Sequence, residues 1–186
     1  MLAWQAGDEG AFDRLVEAYS GRVYALLTRF LGRHPSREDL VQEVFLRVIR
    51  ARDRYVPTAK FTTWLYRIVF NLSVNETQRS GRREEALTLS GGHGDGGEEG
   101  LDVEDPEGPA PSSGLEQLDV VDAVRAAIEE LPEQQRMALV LAKYEDMPYV
   151  DIGRVLGITD KAVKSLVHRA RETLRGRLAP FMKEVN

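Results

Sequence analysis

The chain has 186 residues, of which 42% are hydrophobic and 30% are charged, and its formal net charge is −5. The absence of cysteine excludes disulfides and thiol chemistry, and three scattered histidines do not suggest a metal site, so we expect no cofactor. No stretch approaches the roughly 18 apolar residues of a membrane span, and the N-terminus lacks a signal-peptide pattern. We therefore expect a cytoplasmic protein without direct membrane insertion.

The charge is unevenly distributed along the chain. Residues 1–83 carry 14 Lys/Arg and 9 Asp/Glu, and residues 117–186 carry 11 of each. Residues 84–116 carry 10 Asp/Glu and no Lys/Arg, together with half of the 16 glycines and three of the eight prolines. This composition predicts two folded domains, 1–83 and 117–186, joined by a flexible acidic linker at 84–116.

Apolar residues recur at helical spacing in both domains, and no sequence pattern suggests a β-hairpin, so the predicted fold class is all-α. In the first domain the pattern runs from Phe12 to Phe30, as one or two helices, and ends at Gly32 to Pro35. Ser36 is then predicted to cap a second helix. Its apolar positions are Leu40, Val41, Val44, Phe45, Val48 and Ile49.

The opposite face of this second helix is a candidate partner surface. Asp39, Gln42, Glu43 and Leu46 follow one another at i, i+3, i+4 and i+7, which places them on one strip. A mixed acidic and apolar strip suits a protein partner. The alternative is an ordinary solvated helix face, and the spacing alone favours that alternative.

A third helix, FTTWLYRIVFNLSVNETQRSGRR, is predicted to begin with Thr62 or Thr63 as its cap and to end in a basic cluster. Its aromatic residues could stack on bases, but aromatic residues at helical spacing usually belong to the core. Asn71 and Asn75 lie one turn apart and carry amides able to read a base edge, although surface amides are also common on helices.

In the second domain, helices are predicted over Leu118 to Leu131 and from Pro132 onward, with a break at Glu145 to Met147. A short helix after Pro148 would turn its apolar residues Val150, Ile152, Val155 and Leu156 inward. Gly157 then supplies a turn and Thr159 caps the following helix, which is the pattern of a helix-turn-helix.

The last helix separates its charged and apolar residues cleanly. The predicted buried stripe consists of Val163, Leu166, Val167, Ala170 and Leu174. Lys161, Lys164, Ser165 and His168 fall on the other face, where they suit a DNA major groove, and Arg169 and Arg171 can add phosphate contacts. The alternative is a basic surface helix that binds nothing specifically.

Three segments, taken together and in order, resemble the extracytoplasmic-function, or group 4, sigma factors of bacterial RNA polymerase. DLVQEVFLRVIR is similar to region 2.1 to 2.2 of the family, and the FTTWLYRI helix to regions 2.3 to 2.4. ELPEQQRMALVLAKYEDMPYVDIGRVLGITDKAVKSLVHRARETLR is similar to region 4. The resemblance covers nearly all of the chain except the linker.

The resemblance implies roles for the candidate residues of the first domain. Asp39, Gln42, Glu43 and Leu46 would meet the clamp helices of the polymerase β′ subunit. Asn71 and Asn75 would capture and read an extruded base of the minus-10 element. Basic side chains would hold the strand backbone and help to offset unstacking; they are Lys60, Arg79, Arg82 and Arg83.

For the second domain, the resemblance implies that the helix-turn-helix reads the minus-35 element and that the domain docks on the polymerase β flap. The implied minus-35 residues are Lys161, Ala162, Lys164, Ser165, His168, Arg169 and Arg171. The resemblance also implies an anti-sigma factor as a partner. Leu166 stands where the family often has Arg, and Lys161-Ala162 replaces a common Gly-Thr pair, so the promoter sequence does not transfer from relatives.

Three other functions remain open at this stage. A polymerase-independent regulator would use the helix-turn-helix but would not need the DLVQE strip. A nucleic-acid hydrolase would need clustered carboxylates or an activated nucleophile, whereas the richest acidic cluster lies in the glycine-rich linker. A pure interaction protein would resemble a sigma factor without opening promoters. The family resemblance favours a non-enzymatic initiation factor that acts with core polymerase.

Overall fold

The computed structural model describes the backbone of residues 1–32, 34–89 and 114–183 and the side chains of residues 1–32, 34–83 and 120–180. The described residues form α-helices and one short 3-10 turn, Arg52–Arg54, without a strand. The helices are α1 (Leu2–Gln5), α2 (Gly10–Leu31), α3 (Arg37–Arg50), α4 (Phe61–Leu89), α5 (Gly114–Glu129), α6 (Glu133–Tyr144), α7 (Tyr149–Leu156) and α8 (Asp160–Lys183). The all-α prediction is confirmed.

The helices form two units, α1 to α4 and α5 to α8. Helix α4 continues to Leu89 and α5 begins at Gly114, so both enter the segment 84–116 that the composition assigns to a linker. The rest of that segment, residues 90–113, lies outside the described residues. The domain limits therefore stay a prediction.

The N-terminal unit is built around the apolar face of α2, which is one continuous helix. Its buried residues Val23, Leu26, Leu27 and Phe30 pack in one cluster with the buried faces of α3 and α4. A short segment closes the other end, where the indole of Trp4 packs 4.7 Å from the ring of Phe12. These contacts fix the directions of α3 and α4, the two helices that carry the predicted binding residues.

Four local predictions for this unit need correction. Ser36 occupies the N-cap position, but its backbone is not extended (φ −85°, ψ 16°) and its side chain makes no cap hydrogen bond. Its N–H donates instead to Nδ1 of His34 at 3.3 Å. Helix α4 starts at Phe61, so Thr62 and Thr63 lie inside its first turn, and it extends beyond Arg83. Ile49 is 43% exposed rather than buried.

The helix-turn-helix forms as predicted. Gly157 ends α7 in the left-handed region (φ 70°), and the N–H of Ile158 donates to the Gly153 carbonyl at 2.9 Å, the 6→1 bond of a Schellman turn. Thr159 Oγ1 accepts from the N–H of Ala162 at 3.2 Å and so caps α8. Val150 was predicted wrongly, because it lies about 200° around the helix from Ile152 and is 53% exposed.

The two units share one hydrophobic cluster, and Arg136 of α6 adds a polar contact between them. Its guanidinium donates to the Phe30 carbonyl at the end of α2 at 2.6 Å, and also to the carbonyls of Glu129 and Leu131 at the end of α5. The same group lies 5.1 Å from the centre of the Phe30 ring. Burial lowers the pKa of Arg136. One side chain therefore satisfies carbonyl groups that two helix ends leave without intrahelical partners.

The helix-turn-helix turn gives a stability prediction. Gly153→Ala should lower the free energy of unfolding by about 1–3 kcal/mol, because the added Cβ would lie 2.6 Å from the Ile158 carbonyl oxygen. Gly157→Ala should lower the free energy of unfolding by about 1–2 kcal/mol, because alanine is strained in the left-handed backbone conformation at this position. Gly176→Ala, on an exposed turn of α8 with open space around Cβ, is the matched control and should cost nothing. Urea unfolding that gives Gly153→Ala and Gly176→Ala the same midpoint would contradict this account.

Candidate nucleic-acid and polymerase interfaces

The solvent face of α8 carries the residues predicted to read DNA. Four of the five residues of the predicted stripe, Val163, Leu166, Val167 and Ala170, are exposed by 8% or less, and the fifth, Leu174, is half-buried. The exposed residues are Lys161, Lys164, Ser165, His168, Arg169 and Arg171, and Ala162 is half-buried. Leu166 belongs to the stripe, so the apolar residue at this position packs in the core and is not presented to a groove.

Hydrogen bonds along α8 limit the freedom of this face. Ser165 Oγ donates to the Lys161 carbonyl at 3.2 Å, and Arg169 Nε donates to the Ser165 carbonyl at 3.4 Å. The second bond holds the start of the Arg169 guanidinium along the helix and leaves its other donors available. The face as a whole is a rigid, positively charged helix surface of the size that enters a major groove.

Helix α4 carries the second candidate face. Asn71 and Asn75 are both exposed, and so are Arg79, Arg82 and Arg83 further along the helix. Arg82 Nε donates to the Gln78 carbonyl at 3.1 Å. The structure thus brings the predicted amides and three of the four predicted cations onto the solvent side of α4, whose other side is in the core, and Lys60, the fourth, is exposed directly before the helix.

One residue of this face was missed by sequence reasoning. Arg67 is exposed and lies four residues before Asn71, so Arg67, Asn71 and Asn75 form one row along α4. The same four-residue spacing that pairs the two asparagines would have identified it. Arg67 adds a positive charge next to the amides.

The aromatic residues of α4 belong to the core, as the more common interpretation predicted. Tyr66 is 1% exposed and Phe70 is 8% exposed. Trp64 is half-buried in an aromatic cluster, with its ring centre 4.9 Å from that of Tyr55 and 5.7 Å from that of Phe61. None of the three is available for base stacking in this conformation.

The acidic and apolar strip on α3 is present at the surface. Asp39, Gln42 and Leu46 are exposed, and Leu46 is 44% exposed. Ile49, three residues after Leu46, extends the apolar part of the strip by one turn. Ile49 follows Gln42 by seven residues and Leu46 by three, and this spacing would have placed it on the strip. An acidic rim around exposed aliphatic side chains suits a protein partner with basic and apolar groups.

Glu43 is the one half-buried member of this strip. Its Oε1 accepts from Arg47 Nε at 2.9 Å and lies 3.4 Å from an Arg50 nitrogen. The hydrogen bond from Arg47, aided by the charge of Arg50, holds the pKa of Glu43 below its ordinary value. The carboxylate is therefore ionised and oriented by its own helix.

The described ranges hold neither a cluster of metal-ligating side chains nor a membrane-spanning helix. No group of three or more His, Asp or Glu side chains there is placed to hold a metal ion. No helix of the described part of the chain is both long and apolar enough to cross a membrane.

Comparisons with known proteins agree with the two-unit arrangement. The sigma-70 region 2 family matches residues 15–83, and the sigma-70 region 4 family matches residues 122–174. These matches define the class as a sigma-70 type transcription initiation factor. The first covers α3 and the row on α4, and the second covers the helix-turn-helix.

Curated relatives identify the branch of this class. The chain is 35% identical to the ECF RNA polymerase sigma-E factor of Haemophilus influenzae, over 96% of this chain and 93% of the relative. It is 33% identical to the RNA polymerase sigma-H factor of Pseudomonas aeruginosa, over 97% of this chain and 92% of the relative. It is 32% identical to the ECF RNA polymerase sigma factor SigW of Bacillus subtilis, over 92% of this chain and 91% of the relative. The chain therefore belongs to the ECF sigma factors of the sigma-70 family.

Solved structures share the fold. The sigma factor RpoE of Bartonella quintana, crystallised with the anti-sigma factor NepR, has a TM-score of 0.70 at 22% identity and covers 91% of this chain and 98% of its own. CnrH, solved in complex with the cytosolic domain of CnrY, has a TM-score of 0.63 at 24% identity, and the match covers 95% of this chain and 92% of CnrH.

The α3 strip gives a pH prediction. Replacing Arg47 with Met should raise the pKa of Glu43, because the hydrogen bond that favours the carboxylate is lost. In the parent chain the depressed pKa contributes stability that is present above the unfolded-state pKa and is lost as the pH falls through the folded-state pKa. Carboxylate NMR titration of Glu43 measures the shift. Arg54→Met, which leaves both arginine contacts of Glu43 in place, is the control; equal titration curves for the two variants would contradict the assignment.

Proposed function

We propose that this sigma factor binds core RNA polymerase through the α3 strip, reads the minus-35 element with α8 and captures a minus-10 base with the amides on α4. The observation that carries the proposal is that nearly all residues of the three sets are exposed, with Glu43 and Ala162 half-buried, on helices whose opposite faces are buried in the core. Because the faces are held by packing, no refolding of the helices is needed to present them.

The α3 strip supports polymerase binding. Leu46 and Ile49 supply exposed apolar area, Asp39 supplies negative charge beside it, and Glu43 forms an ion pair with Arg47 and Arg50. A clamp surface with apolar and basic groups would be its complement. Under this proposal the β′ clamp helices are the partner of α3, and the C-terminal unit docks on the β flap.

Base capture on α4 follows from the row Arg67, Asn71 and Asn75. Extrusion of a base costs a few kcal/mol of lost stacking and pairing, which a protein must supply through new contacts. The amides can hydrogen-bond the base edge, and Lys60, Arg79, Arg82 and Arg83 can bind the adjacent phosphates. The aromatic residues of α4 support the helix and take no part in this step.

An anti-sigma factor is a further proposed partner. The similar sigma factor RpoE was solved with the anti-sigma factor NepR, and its fold extends over 91% of this chain. A regulator of that kind would act by covering the helix faces named above. Copurification of a protein that dissociates when core polymerase is added would test this partner.

Genome-wide run-off transcription tests the function as a whole. Purified core polymerase, with and without this protein, is given fragmented genomic DNA, and the new RNA 5′ ends are mapped. New start sites that share upstream minus-35 and minus-10 elements are expected. Stable binding to core polymerase without any new start site would contradict promoter-directed initiation.

Substitution of Lys164 tests the minus-35 face. Lys164→Ala should weaken binding of the holoenzyme to its promoter. If the lysine contacts a phosphate, the plot of the logarithm of the association constant against the logarithm of the salt concentration should also become less steep, by about 1. A lost base contact would instead cost about 1–3 kcal/mol at one base pair and leave other sequences unaffected. Lys143→Ala, an exposed lysine on α6, is the matched control; the same loss in both variants would contradict a specific role of α8.

Substitution of Asn71 tests base capture separately from binding. Asn71→Ala should leave the affinity for core polymerase and for the minus-35 element unchanged and should reduce promoter opening, because the amide that holds the extruded base is missing. Permanganate reactivity of unpaired thymines in the minus-10 element measures opening. Gln78→Ala, an exposed amide on the same helix, is the control. Normal opening by Asn71→Ala would exclude this residue from base capture.

A further inference from the structure

The N-terminal segment, residues 1–9, is folded onto the turn that follows α3. The side-chain amide of Gln5 donates to two carbonyls of this turn, that of Arg52 at 2.5 Å and that of Tyr55 at 3.0 Å. In the opposite direction, the Arg52 guanidinium donates to the Trp4 carbonyl at 2.7 Å. The N-terminal segment and the turn therefore hold each other by hydrogen bonds in both directions.

The Arg52 side chain is held by several groups of this segment at once. Its guanidinium donates to the Glu9 carboxylate at 2.8 Å and lies 4.7 Å from the centre of the Trp4 ring. Trp4 is 5% exposed, and its indole N–H donates to the same carboxylate at 3.3 Å. The hydrogen bonds from Arg52 and Trp4 hold the pKa of Glu9 below its ordinary value, so the carboxylate is ionised. A side chain with this set of partners is fixed far better than one in a single exposed ion pair.

The same turn is tied to α4 on its other side. The ring of Tyr55, which is 8% exposed, has its centre 4.9 Å from that of Trp64 and 6.3 Å from that of Phe61, both in the first turn of α4. The Trp64 N–H donates to the Lys60 carbonyl at 3.3 Å. Trp64 also lies only three residues before Arg67. The contacts therefore run from the N-terminal segment, through the turn, to the residues that begin the DNA face of α4.

The connection between the turn and α4 has little structure of its own. Val56 is 67% exposed, and Thr58 and Lys60 are exposed as well. Within residues 56–60, the one backbone hydrogen bond runs from the Thr58 N–H to the Val56 carbonyl at 2.8 Å. An exposed segment with so few bonds takes its shape from its two ends. One of those ends is Tyr55, whose carbonyl Gln5 holds.

Base capture makes strict demands on this geometry. The proposed function requires the amides of Asn71 and Asn75 to meet an extruded base while Lys60 holds an adjacent phosphate. A binding constellation of this kind works only when its groups are held within about 0.5 Å of the productive geometry. A misplacement of about 1 Å can cost about 100-fold in rate. An element that fixes the start of α4 therefore contributes to promoter opening without touching DNA.

We infer that Gln5 and Arg52 are positioning residues for base capture, and that they act through the turn and Tyr55 on Lys60 and the first turns of α4. The inference rests on the proposed base capture by α4 and deepens it. It gives the N-terminal segment a part in promoter opening in addition to its part in the core.

Promoter opening tests the inference. Gln5→Met and Arg52→Met remove the donors and keep long side chains. Permanganate reactivity of a duplex promoter should fall about tenfold with either variant, because the capture groups lose their fixed position. The affinity for core polymerase and for the minus-35 element should not change. Gln134→Met, at an exposed residue of α6, and Arg54→Met, whose hydrogen bond goes to the Arg50 carbonyl, are the matched controls and should open the promoter normally. Normal opening by both Gln5→Met and Arg52→Met would overturn the inference.

A mismatched template separates misplacement from loss of folded protein. The minus-10 region of this template has non-complementary strands, so the cost of unpairing is absent and Gln5→Met and Arg52→Met should regain most of the parent's transcription. The ratio of transcription on the duplex to transcription on the mismatched template does not depend on how much of a variant is folded. A ratio equal to that of the parent protein would overturn the inference even if both variants had lost stability.

Asn71→Ala distinguishes failure of the inference from failure of the proposed function. If Gln5 acts through base capture, adding Gln5→Met to Asn71→Ala should lower the duplex-to-mismatch ratio no further. Losses that multiply in the double variant would overturn the inference and leave base capture standing. A low ratio for Asn71→Ala beside a normal ratio for Gln5→Met would do the same. Normal duplex opening by Asn71→Ala would reject base capture by this residue, and the inference with it.

Discussion

One half-buried guanidinium binds the ends of two helices that belong to different units. Arg136 of α6 donates to the last carbonyls of α2 and of α5 and packs on the ring of Phe30. A partly buried cation needs acceptors and a helix C-terminus needs donors, and the two terminal guanidinium nitrogens of Arg136 meet those needs together. Gly32 ends α2 with a φ of 64°, in the left-handed region that favours glycine, and the Glu129 side chain lies beside it.

The functional faces follow from this packing. Helices α3, α4 and α8 each bury one side, and the residues left on the other side are those that the family resemblance assigns to polymerase and DNA. Burial of the apolar stripe of each helix therefore explains both why the candidate binding residues are exposed and why they share one side of the helix.

Local periodicity predicted most of the secondary structure. The apolar pattern of α2, the turn at Gly157, the cap at Thr159 and the buried stripe of α8 follow from contacts within a few residues, which the sequence displays directly. The errors have local causes as well. Ile49 and Val150 are apolar but fall on solvent faces, where residue type is a weaker guide than angular position.

The contact between the units was beyond sequence reasoning. Arg136 and Phe30 are 106 residues apart, and nothing in either segment indicates that an arginine would find a carbonyl of another helix. Of the candidate surfaces, the strip on α3 and the faces of α4 and α8 were predicted from spacing and resemblance, whereas Arg67 and Ile49 emerged from the three-dimensional rows that they extend. Their roles, like those of the predicted residues, stay with the proposed function.

The most direct test of the central claim is hydroxyl-radical footprinting of the holoenzyme on one of its promoters. Two separate helix faces that read two separate elements predict two protected patches attributable to this chain, about 25 base pairs apart. Lys164→Ala should weaken protection of the upstream patch and leave the downstream patch protected. Asn71→Ala should weaken protection of the downstream patch and leave the upstream patch protected. A single patch, or loss of both patches in either variant, would contradict the division of DNA reading between the two units.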